Sequence, residues 1–291
     1  MNKVYDIELI IDSLFYANKF RGSIILIKIG GSILYDSKLM NSLCNDIKLL
    51  KECGIKIVLV HGGSKAINEA LLMNGIETKF LDGLRITPPK AMKIIEMVLC
   101  GEVNKSLVKK LNNIGLHAVG LSGSDNNLLL CDYYSEKHEC VGNIKTVNID
   151  LIINLLSFEE KEFDYIPVIA PIGVDNHGNS LNINADWAAC AIASALKAHK
   201  FIYLTDQNGI YDSNGNVLAL LSKDDLQELI SNQIVKDGML TKVKTILAAL
   251  DNNISGIHIL NGMRKHCLIE ELFTINGVGT LCDNLSKEYV G

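Results

Sequence analysis

Five short segments of the chain could form anion-binding sites: four combine glycine with charged or polar side chains, and the fifth carries two amides and a carboxylate before a predicted helix. Glycine lets the backbone approach an anion closely, and the free N–H groups of a following helix can bind it. Lysine adds a compact positive charge, and the planar fork of arginine matches a carboxylate. The predicted chemistry is therefore the binding of phosphate and carboxylate groups. The segments are Lys28-Ile29-Gly30-Gly31, His61-Gly62-Gly63, Gly83-Leu84-Arg85-Ile86-Thr87, Asn182-Ile183-Asn184-Ala185-Asp186 and Gly238-Met239-Leu240-Thr241-Lys242.

A single glycine pair is as well explained by a tight turn, because turns commonly recruit glycine. Here two pairs close consecutive apolar runs, 24–29 and 56–60, and each pair is followed by a helical pattern. Unbroken apolar runs are typical of strands buried on both faces of a parallel sheet. Ligands bind beyond the carboxyl ends of such strands, so the repetition favours an anion site at one sheet edge.

The order of strands and helices predicts an α/β fold with an open, mainly parallel sheet sandwiched by helices. Residues 126–147 are expected to form β-hairpins with a turn at Gly142-Asn143. Three parts are expected: an amphipathic helix in 1–20, one lobe in 21–197 and a second lobe in 198–291. Helices are predicted at 37–53, from Ser64 to about 74, at 91–114, 185–198 and 239–252, and strands at 24–29, 56–60, 117–121, 166–170, 201–204 and 256–260.

Composition argues against several other classes of protein. The formal net charge of −5 disfavours nucleic acid as a partner, because binding a phosphate backbone usually needs a basic face. No stretch reaches the ~20 apolar residues that span a bilayer. Neither G-x-x-x-x-G-K-[ST] nor G-x-G-x-x-G after a strand is present. The 8 cysteines lack C-x-x-C spacing, which argues against a zinc site, and in a chain of this length they favour free thiols in a reducing compartment over disulfides. We expect a cytoplasmic protein or, alternatively, one of the plastid stroma.

In their order along the chain, the five segments resemble the acetylglutamate kinases, within the amino acid kinase family. Leu204-Thr205-Asp206 and the connecting segments 96–105, 120–123 and 166–173 are similar to that family's pattern too, so the resemblance covers 21–283. Each motif alone is unspecific, but the ordered combination is highly specific. The chain departs from the pattern at Ser64 and Asp237, where the family often has glycine, and at Ser124, where it often has lysine.

The resemblance implies an ATP-dependent enzyme of arginine biosynthesis that phosphorylates the side-chain carboxylate of N-acetyl-L-glutamate, with Mg²⁺ bound to the nucleotide. Lys28 and Lys242 would stabilise the transferring phosphoryl group, and Asp186 would hold both lysines. The acceptor carboxylate has a free pKa of about 4.3, so it is ionised near neutral pH and needs no general base. The other implied residues are Gly62, Gly63, Arg85 and Asn182 for acetylglutamate, with Arg85 on its α-carboxylate, and Gly30, Gly31, Thr205, Asp206, Gly209 and Met239 for the nucleotide.

Both ends of the chain resemble the arginine-sensitive branch of these kinases. Apolar residues recur at helical spacing in 4–18, namely Val4, Ile7, Ile11, Leu14 and Phe15. In that branch the helix joins dimers into a hexameric ring, and L-arginine binds between the helix and the C-terminal lobe as an inhibitor. By resemblance, Glu271 would pair with the arginine cation, and Gly277 and Gly279 would allow close approach of the backbone.

Two other functions are compatible with the same motifs. One is a sibling kinase that acts on an acetylaminoadipate-type or carbamate-type acid, although 83–87 favours acetylglutamate because the siblings differ there. The other is a catalytically inactive, ligand-sensing subunit of the same fold, against which the intact Lys28, Asp186 and Lys242 argue.

Overall fold

Helices and strands alternate along most of the computed structural model, which describes residues 7–157, 165–252, 254, 256–274 and 277–284. The α-helices are α1 (Ile7–Lys19), α2 (Gly31–Tyr35), α3 (Ser37–Glu52), α4 (Ser64–Met73), α5 (Pro89–Glu96), α6 (Asn104–Asn113), α7 (Asp150–Leu156), α8 (Ala185–Ala195), α9 (Lys223–Ser231), α10 (Asp237–Asp251) and α11 (Cys267–Phe273). The strands are β1 (Ile24–Ile29), β2 (Lys56–His61), β3 (Phe80–Leu81), β4 (Leu84–Arg85), β5 (Ala118–Ser122), β6 (Leu129–Tyr133), β7 (Gly142–Val147), β8 (Ile166–Ala170), β9 (Ile172–Val174), β10 (Ser180–Asn182), β11 (Lys200–Thr205), β12 (Ile210–Tyr211), β13 (Val217–Leu218), β14 (Leu220–Ser222), β15 (Ile257–Asn261) and β16 (Thr280–Asp283).

An eight-stranded sheet forms the centre of the fold, in the order β14-β16-β15-β11-β1-β2-β8-β5. Every neighbouring pair in it is parallel except β15 and β16. A smaller sheet, β10-β9-β6-β7, packs beside it. The predicted open, mainly parallel sheet between helices is confirmed.

Side-chain alternation along β1 separates two apolar layers. Ile25, Ile27 and Ile29 are buried in the layer that contains α3 and α11, whereas Leu26 is buried in the layer that contains α8 and α10. Successive side chains of a strand point to opposite faces, so Lys28 shares the face of Leu26. The lysine of a central, buried strand is thereby directed towards α8 and α10.

Most of the predicted elements are confirmed to within a few residues. The apolar runs at 24–29 and 166–170 match β1 and β8, and the helix predicted at 37–53 matches α3. Helix α10 begins at Asp237, two residues before its predicted start. Lys242 consequently lies in the second turn of that helix and not in the first.

The helical stretch predicted at 91–114 is confirmed, and a π-helical segment, Met97–Val103, lies between α5 and α6. The turn predicted at Gly142-Asn143 is wrong. Gly142 and Asn143 lie within β7, which pairs antiparallel with β6 across a longer connection. Gly142 is closely packed, because a Cβ there would lie 2.5 Å from Ile183 Cδ1 and 3.0 Å from Leu181 Cβ.

Several short elements were not predicted, among them α7, α9, α11 and β16. The main sheet continues through both predicted lobes, since β1 pairs with β2 on one side and with β11 on the other. The division at residue 197 falls in the connection between α8 and β11 and stays a prediction. Among the helices described, none is long and apolar enough to cross a membrane.

Candidate active site

Three charged side chains from separate parts of the chain meet at the carboxyl end of the main sheet. Lys28 Nζ lies 2.8 Å from Asp186 Oδ1, and Lys242 Nζ lies 2.6 Å from Asp186 Oδ2. All three side chains are largely buried. One carboxylate therefore fixes two ammonium groups, and the cluster keeps a net positive charge.

The local sequence explains how Asp186 reaches this position. Asn184 is the N-cap of α8, and its Oδ1 accepts hydrogen bonds from the backbone N of Asp186 at 2.8 Å and of Trp187 at 3.3 Å. Of the amide and carboxylate residues in 182–186, capping thus accounts for Asn184 alone. Asp186 lies in the first helical turn, where the helix dipole favours a negative charge.

The two lysines keep Asp186 ionised. Burial by itself raises the pKa of this carboxyl group, but the charges and hydrogen bonds of Lys28 and Lys242 outweigh burial and lower the pKa to about 2. At neutral pH the aspartate is consequently an anion that holds both cations in place.

Glycine turns surround the cations. Gly30, Gly31, Gly62 and Gly63 line one cavity together with Lys28, Asp186 and Lys242. At Gly30 a side chain would collide with the backbone, because a Cβ would lie 2.8 Å from Leu204 O. The two glycine pairs thus lie together at the sheet edge, as the repeated strand–turn pattern predicted.

A second cavity adjoins the first and contains Arg85. It shares Gly62 and Gly63 with the lysine cavity and is also lined by Arg85 and Asn182. Asn182 Nδ2 donates to Thr87 Oγ1 at 3.0 Å, and Thr87 Oγ1 donates to Arg85 O at 3.0 Å. These bonds tie the strand that carries Arg85 to β10.

The Arg85 guanidinium is buried without a carboxylate partner among the described residues. Nη1 donates to Thr78 Oγ1 at 3.2 Å, and the guanidinium carbon lies 4.8 Å from the centre of the Phe80 ring. Burial lowers the pKa of Arg85, although the group stays charged. A buried, unpaired cation is costly unless an anion binds it, so this cavity suits a carboxylate ligand.

A third cavity extends the lysine cavity on the side of β11. Thr205, Asp206 and Lys242 line both, and Met239 and Gly238 line the extension. Gly209 is not among the residues that line these cavities in the described structure; it lies before β12, packed against Thr280 and Val217. Its predicted role in nucleotide binding remains a prediction.

The fold and this arrangement of charges agree with what sequence comparison finds. The model for the "Amino acid kinase family" matches residues 23–261. The chain belongs to the amino acid kinase family. Among curated family members, acetylglutamate kinase from Campylobacter hominis is 42% identical over 275 residues, covering 94% of this chain and 95% of that protein. Acetylglutamate kinase from Clostridioides difficile is 43% identical over 277 residues, with coverage of 94% and 95%.

Solved structures with the amino acid kinase fold agree with the topology described above. N-acetylglutamate synthase from Neisseria gonorrhoeae, complexed with coenzyme A and N-acetyl-glutamate, superposes with a TM-score of 0.85 at 24% identity. The superposition covers 97% of this chain, which spans 64% of the length of that synthase chain. Carbamate kinase from Giardia superposes with a TM-score of 0.63 at 13% identity, covering 91% of this chain and 99% of that one.

A separate buried polar cluster lies between β11, β15 and α11 of this amino acid kinase fold. Lys200 Nζ lies 2.8 Å from His258 Nε2, and His258 Nδ1 lies 2.6 Å from Glu271 Oε1. Burial lowers the pKa of Lys200 to about 8 and also lowers the pKa of His258. No sequence pattern singles out Lys200 or His258, because single polar residues in strands are not distinctive.

The three residues predicted to bind arginine meet at this cluster. Glu271 Oε2 accepts hydrogen bonds from the backbone N of Val278 at 2.6 Å and of Gly279 at 3.2 Å. Gly277 has a positive φ of 56°, and a Cβ there would lie 2.8 Å from Glu271 Oε2. Gly277 therefore allows the backbone to approach Glu271, whereas at Gly279 a Cβ would lie 2.2 Å from Ile259 O. The role of both glycines towards a ligand stays a prediction.

Proposed function

We propose that this protein transfers the γ-phosphoryl group of ATP to the side-chain carboxylate of N-acetyl-L-glutamate. The observation that carries the proposal is the connection between two cavities, one with the unpaired Arg85 and one with Lys28 and Lys242. An amino acid derivative with two carboxylates fits this arrangement. Its α-carboxylate pairs with Arg85, and its side-chain carboxylate extends past Gly62 and Gly63 towards the lysines. Curated relatives of about the same length, more than 40% identical, carry the same function.

The chemical difficulty of this reaction is to bring two anions together. An ionised carboxylate oxygen forms a bond to the γ-phosphorus, the bond from that phosphorus to the β–γ bridging oxygen breaks, and ADP leaves with the electron pair. The product is an acyl phosphate, and no proton has to be removed. Phosphoryl transfer depends mainly on positioning and on stabilisation of charge. Lys28 and Lys242 offset the charge of the phosphoryl oxygens, and Asp186 holds both ammonium groups.

The nucleotide lies on the β11 side of the site in this proposal. Gly30 and Gly31 contact its phosphates, and Thr205, Asp206, Gly209 and Met239 lie towards the rest of the molecule. The described residues contain no group of three or more His, Cys, Asp or Glu side chains placed to hold a metal ion. Mg²⁺ suits this site as a companion of the ATP phosphates, because it usually binds phosphate oxygens and water with few protein ligands.

A panel of acceptor acids tests the proposed function. Purified protein with ATP and Mg²⁺ should form ADP when N-acetyl-L-glutamate is present, at a kcat/KM well above that for acetylaminoadipate-type acids or carbamate. A preference for either alternative acid would identify a sibling kinase. If no acid stimulates ADP formation, the protein would instead be a ligand-sensing subunit of the same fold.

Arg85→Lys should raise the KM for acetylglutamate much more than the KM for ATP. Lysine keeps the charge but cannot form two parallel hydrogen bonds with one carboxylate, so an increase of about tenfold or more is expected. Steady-state kinetics with each substrate varied separately would measure the two effects. Lys79→Arg is a matched control, since Lys79 is exposed and pairs with Glu77 at 3.1 Å. Equal changes in both KM values would mean that Arg85 does not clamp the substrate carboxylate.

We further propose that the protein is a dimer-based homo-oligomer, a hexamer by family resemblance, and that L-arginine inhibits it. Helix α1 leaves Ile7, Ile11, Leu14 and Phe15 between 59% and 65% exposed, which is unusual for one apolar stripe. Val4 lies outside the described residues. The opposite side of α1 contacts α11, where Ser13 Oγ donates to Phe273 O at 3.1 Å. The exposed stripe suits the equivalent helix of a neighbouring subunit.

The buried cluster of Lys200, His258 and Glu271 suits a ligand that carries both a positive and a negative charge. Lys200 Nζ also lies 5.4 Å from the ring centre of Phe20, so the cluster adjoins the end of α1. The structure of N-acetylglutamate synthase from Neisseria gonorrhoeae complexed with coenzyme A and L-arginine has the same fold as this chain, at 23% identity. Arginine inhibits only if it binds one arrangement of the subunits better than the other. A helix that contacts both the cluster and a neighbouring subunit could transmit that preference.

The cellular location is proposed from the cysteines. All eight cysteines are free, and we place the enzyme in the cytoplasm.

Deleting residues 1–20 should reduce the oligomeric mass and weaken inhibition by L-arginine. Light scattering measures the mass, and initial rates at increasing arginine measure inhibition. Leu14→Glu is a milder variant, because it charges the exposed stripe without removing the helix. Unchanged mass and arginine response in both variants, or an intact enzyme that ignores millimolar arginine, would contradict this proposal.

A further inference from the structure

His61 lies at the end of β2, directly before the glycine turn, and is fully buried. Its Nε2 lies 3.1 Å from Asn104 Nδ2, and its Nδ1 lies 2.9 Å from Gly62 O. Both ring nitrogens are therefore engaged in hydrogen bonds, although neither His61 nor Asn104 faces the substrate cavities. The mechanism described above assigns no role to this pair.

The surrounding carbonyl groups fix the direction of these bonds. Asn104 Nδ2 also lies 2.8 Å from Val168 O and 3.3 Å from Leu121 O, so the amide must present its NH₂ group to this side. His61 Nε2 then accepts a hydrogen bond, and the ring proton resides on Nδ1. His61 Nδ1–H consequently donates to Gly62 O.

This bond determines the direction of the next peptide N–H. In a trans peptide, the carbonyl of one residue and the N–H of the next point in opposite directions. The described residues contain no cis peptide bond. When His61 holds Gly62 O on the buried side, the N–H of Gly63 points to the other side, where Gly63 lines both cavities.

The π-helical segment Met97–Val103 supports the same turn from two directions. Leu99 packs so closely on the turn that a Cβ at Gly63 would lie 2.5 Å from Leu99 Cδ2. Asn104 follows the segment directly, and its amide reaches His61. π-Helical turns are rare and occur frequently at functional sites. Here the segment places both the packing residue and the amide donor.

We propose that His61 and Asn104 are positioning residues, in which Asn104 orients the His61 ring and His61 aims the Gly63 N–H at the transferring phosphoryl group. This inference rests on the proposed function. An amide pointed in advance at the place where charge develops lowers the barrier, since it needs no reorganisation during the reaction. Burial lowers the pKa of His61 to about 4, with a smaller lowering from Lys105, against the opposing bond to Gly62 O. The ring is thus neutral at the pH of catalysis and does not act as a general acid.

Two substitutions of His61 separate positioning from filling of space. In His61→Asn the side-chain amide nitrogen can occupy the place of Nδ1 and still donate to Gly62 O, whereas in His61→Gln it reaches only the place of Nε2. We expect His61→Gln to lower kcat about 10- to 100-fold with little change in the KM for ATP, because the Gly63 N–H is misaligned and not removed. We expect His61→Asn to retain most of the kcat that His61→Gln loses.

Two leucine substitutions on α6 provide the matched comparison. Asn104→Leu removes the amide that orients His61 and should lower kcat to the same degree as His61→Gln. Asn112→Leu removes the amide of an exposed asparagine, which bonds Ala118 N at 2.6 Å and Ala118 O at 3.2 Å, away from the site. It should cost stability but leave kcat near that of the unmodified enzyme.

A second readout does not depend on the reaction. In protein labelled with ¹⁵N-glycine and free of substrates, the Gly63 amide resonance should shift in His61→Gln and Asn104→Leu, and much less in His61→Asn and Asn112→Leu. The inference is overturned if His61→Asn and His61→Gln lower kcat equally, or if the Gly63 resonance is the same in all four variants. An unmodified enzyme that leaves acetylglutamate unphosphorylated would refute the proposed function instead, while the resonance shifts would still test the hydrogen bonds.

Discussion

The substitutions Lys28→Ala and Lys242→Ala should each lower kcat by about two orders of magnitude or more. Losing a key contact to the charge that develops in the transition state usually has an effect of this size. Each lysine lies within 2.8 Å of Asp186, at the cavity that joins the two substrate sites. Without one of them, the repulsion between the carboxylate and the phosphoryl group is only partly offset. The measurement is kcat with both substrates saturating.

Lys244→Ala is the matched control for Lys242→Ala. Lys244 lies two residues further along α10, is exposed and lines a different cavity. Its removal should leave kcat within about twofold of the unmodified enzyme, because exposed charges contribute little to such interactions. Near-normal kcat in Lys28→Ala or Lys242→Ala would show that the lysine concerned does not stabilise the transferring group.

Asp186→Asn should both abolish most activity and destabilise the protein. The substitution keeps the shape of the side chain but leaves two largely buried ammonium groups without their counter-charge. Breaking a buried ion pair in this way typically costs about 3–5 kcal/mol. Urea denaturation would measure the change in the free energy of unfolding. Asp132→Asn is the control, since its ion pair with Lys145 at 3.2 Å is about half exposed and should matter little.

The pH dependence of this destabilisation can be predicted too. In the folded protein the pKa of Asp186 is about 2, below the value of about 3.9 for an aspartate in an unfolded chain. The carboxylate therefore stabilises the fold fully above about pH 4, and this contribution is lost as the pH falls towards 2. The difference in unfolding free energy between the unmodified protein and Asp186→Asn should be constant from pH 5 to 7 and should narrow below pH 4. A difference that persists unchanged at the lowest pH would mean that the lysines do not hold Asp186 ionised.

The sequence predicted the sheet and the glycine turns because local patterns carry that information. Apolar runs define β1, β2 and β8, and a glycine pair after a strand requires only neighbouring residues to be recognised. The meeting of the charged residues depends on tertiary structure. Lys242 and Asp186 are 56 residues apart in sequence, and only the packing of α10 on α8 brings them together.

Other features could not be predicted, because the same residue type serves different purposes. Gly142 reads as a turn residue, but in the fold it makes room for Ile183 inside a strand. The amino-acid composition of the π-helical segment does not differ from that of an ordinary α-helix, so composition alone does not reveal it. His61 is 43 residues from Asn104, so no local pattern indicates that the two side chains form a hydrogen bond. In each case, contacts between distant segments decide the role.

Trapping the reaction product tests the central claim most directly. An acyl phosphate reacts with hydroxylamine to give a hydroxamate, which is detected by its ferric complex and by mass. With ATP, Mg²⁺, hydroxylamine and N-acetyl-L-glutamate, the protein should form the acetylglutamyl hydroxamate and ADP in equal amounts, and omission of either substrate should abolish both. ADP release without hydroxamate, or hydroxamate formation from a different acid in preference to N-acetyl-L-glutamate, would contradict the proposed function.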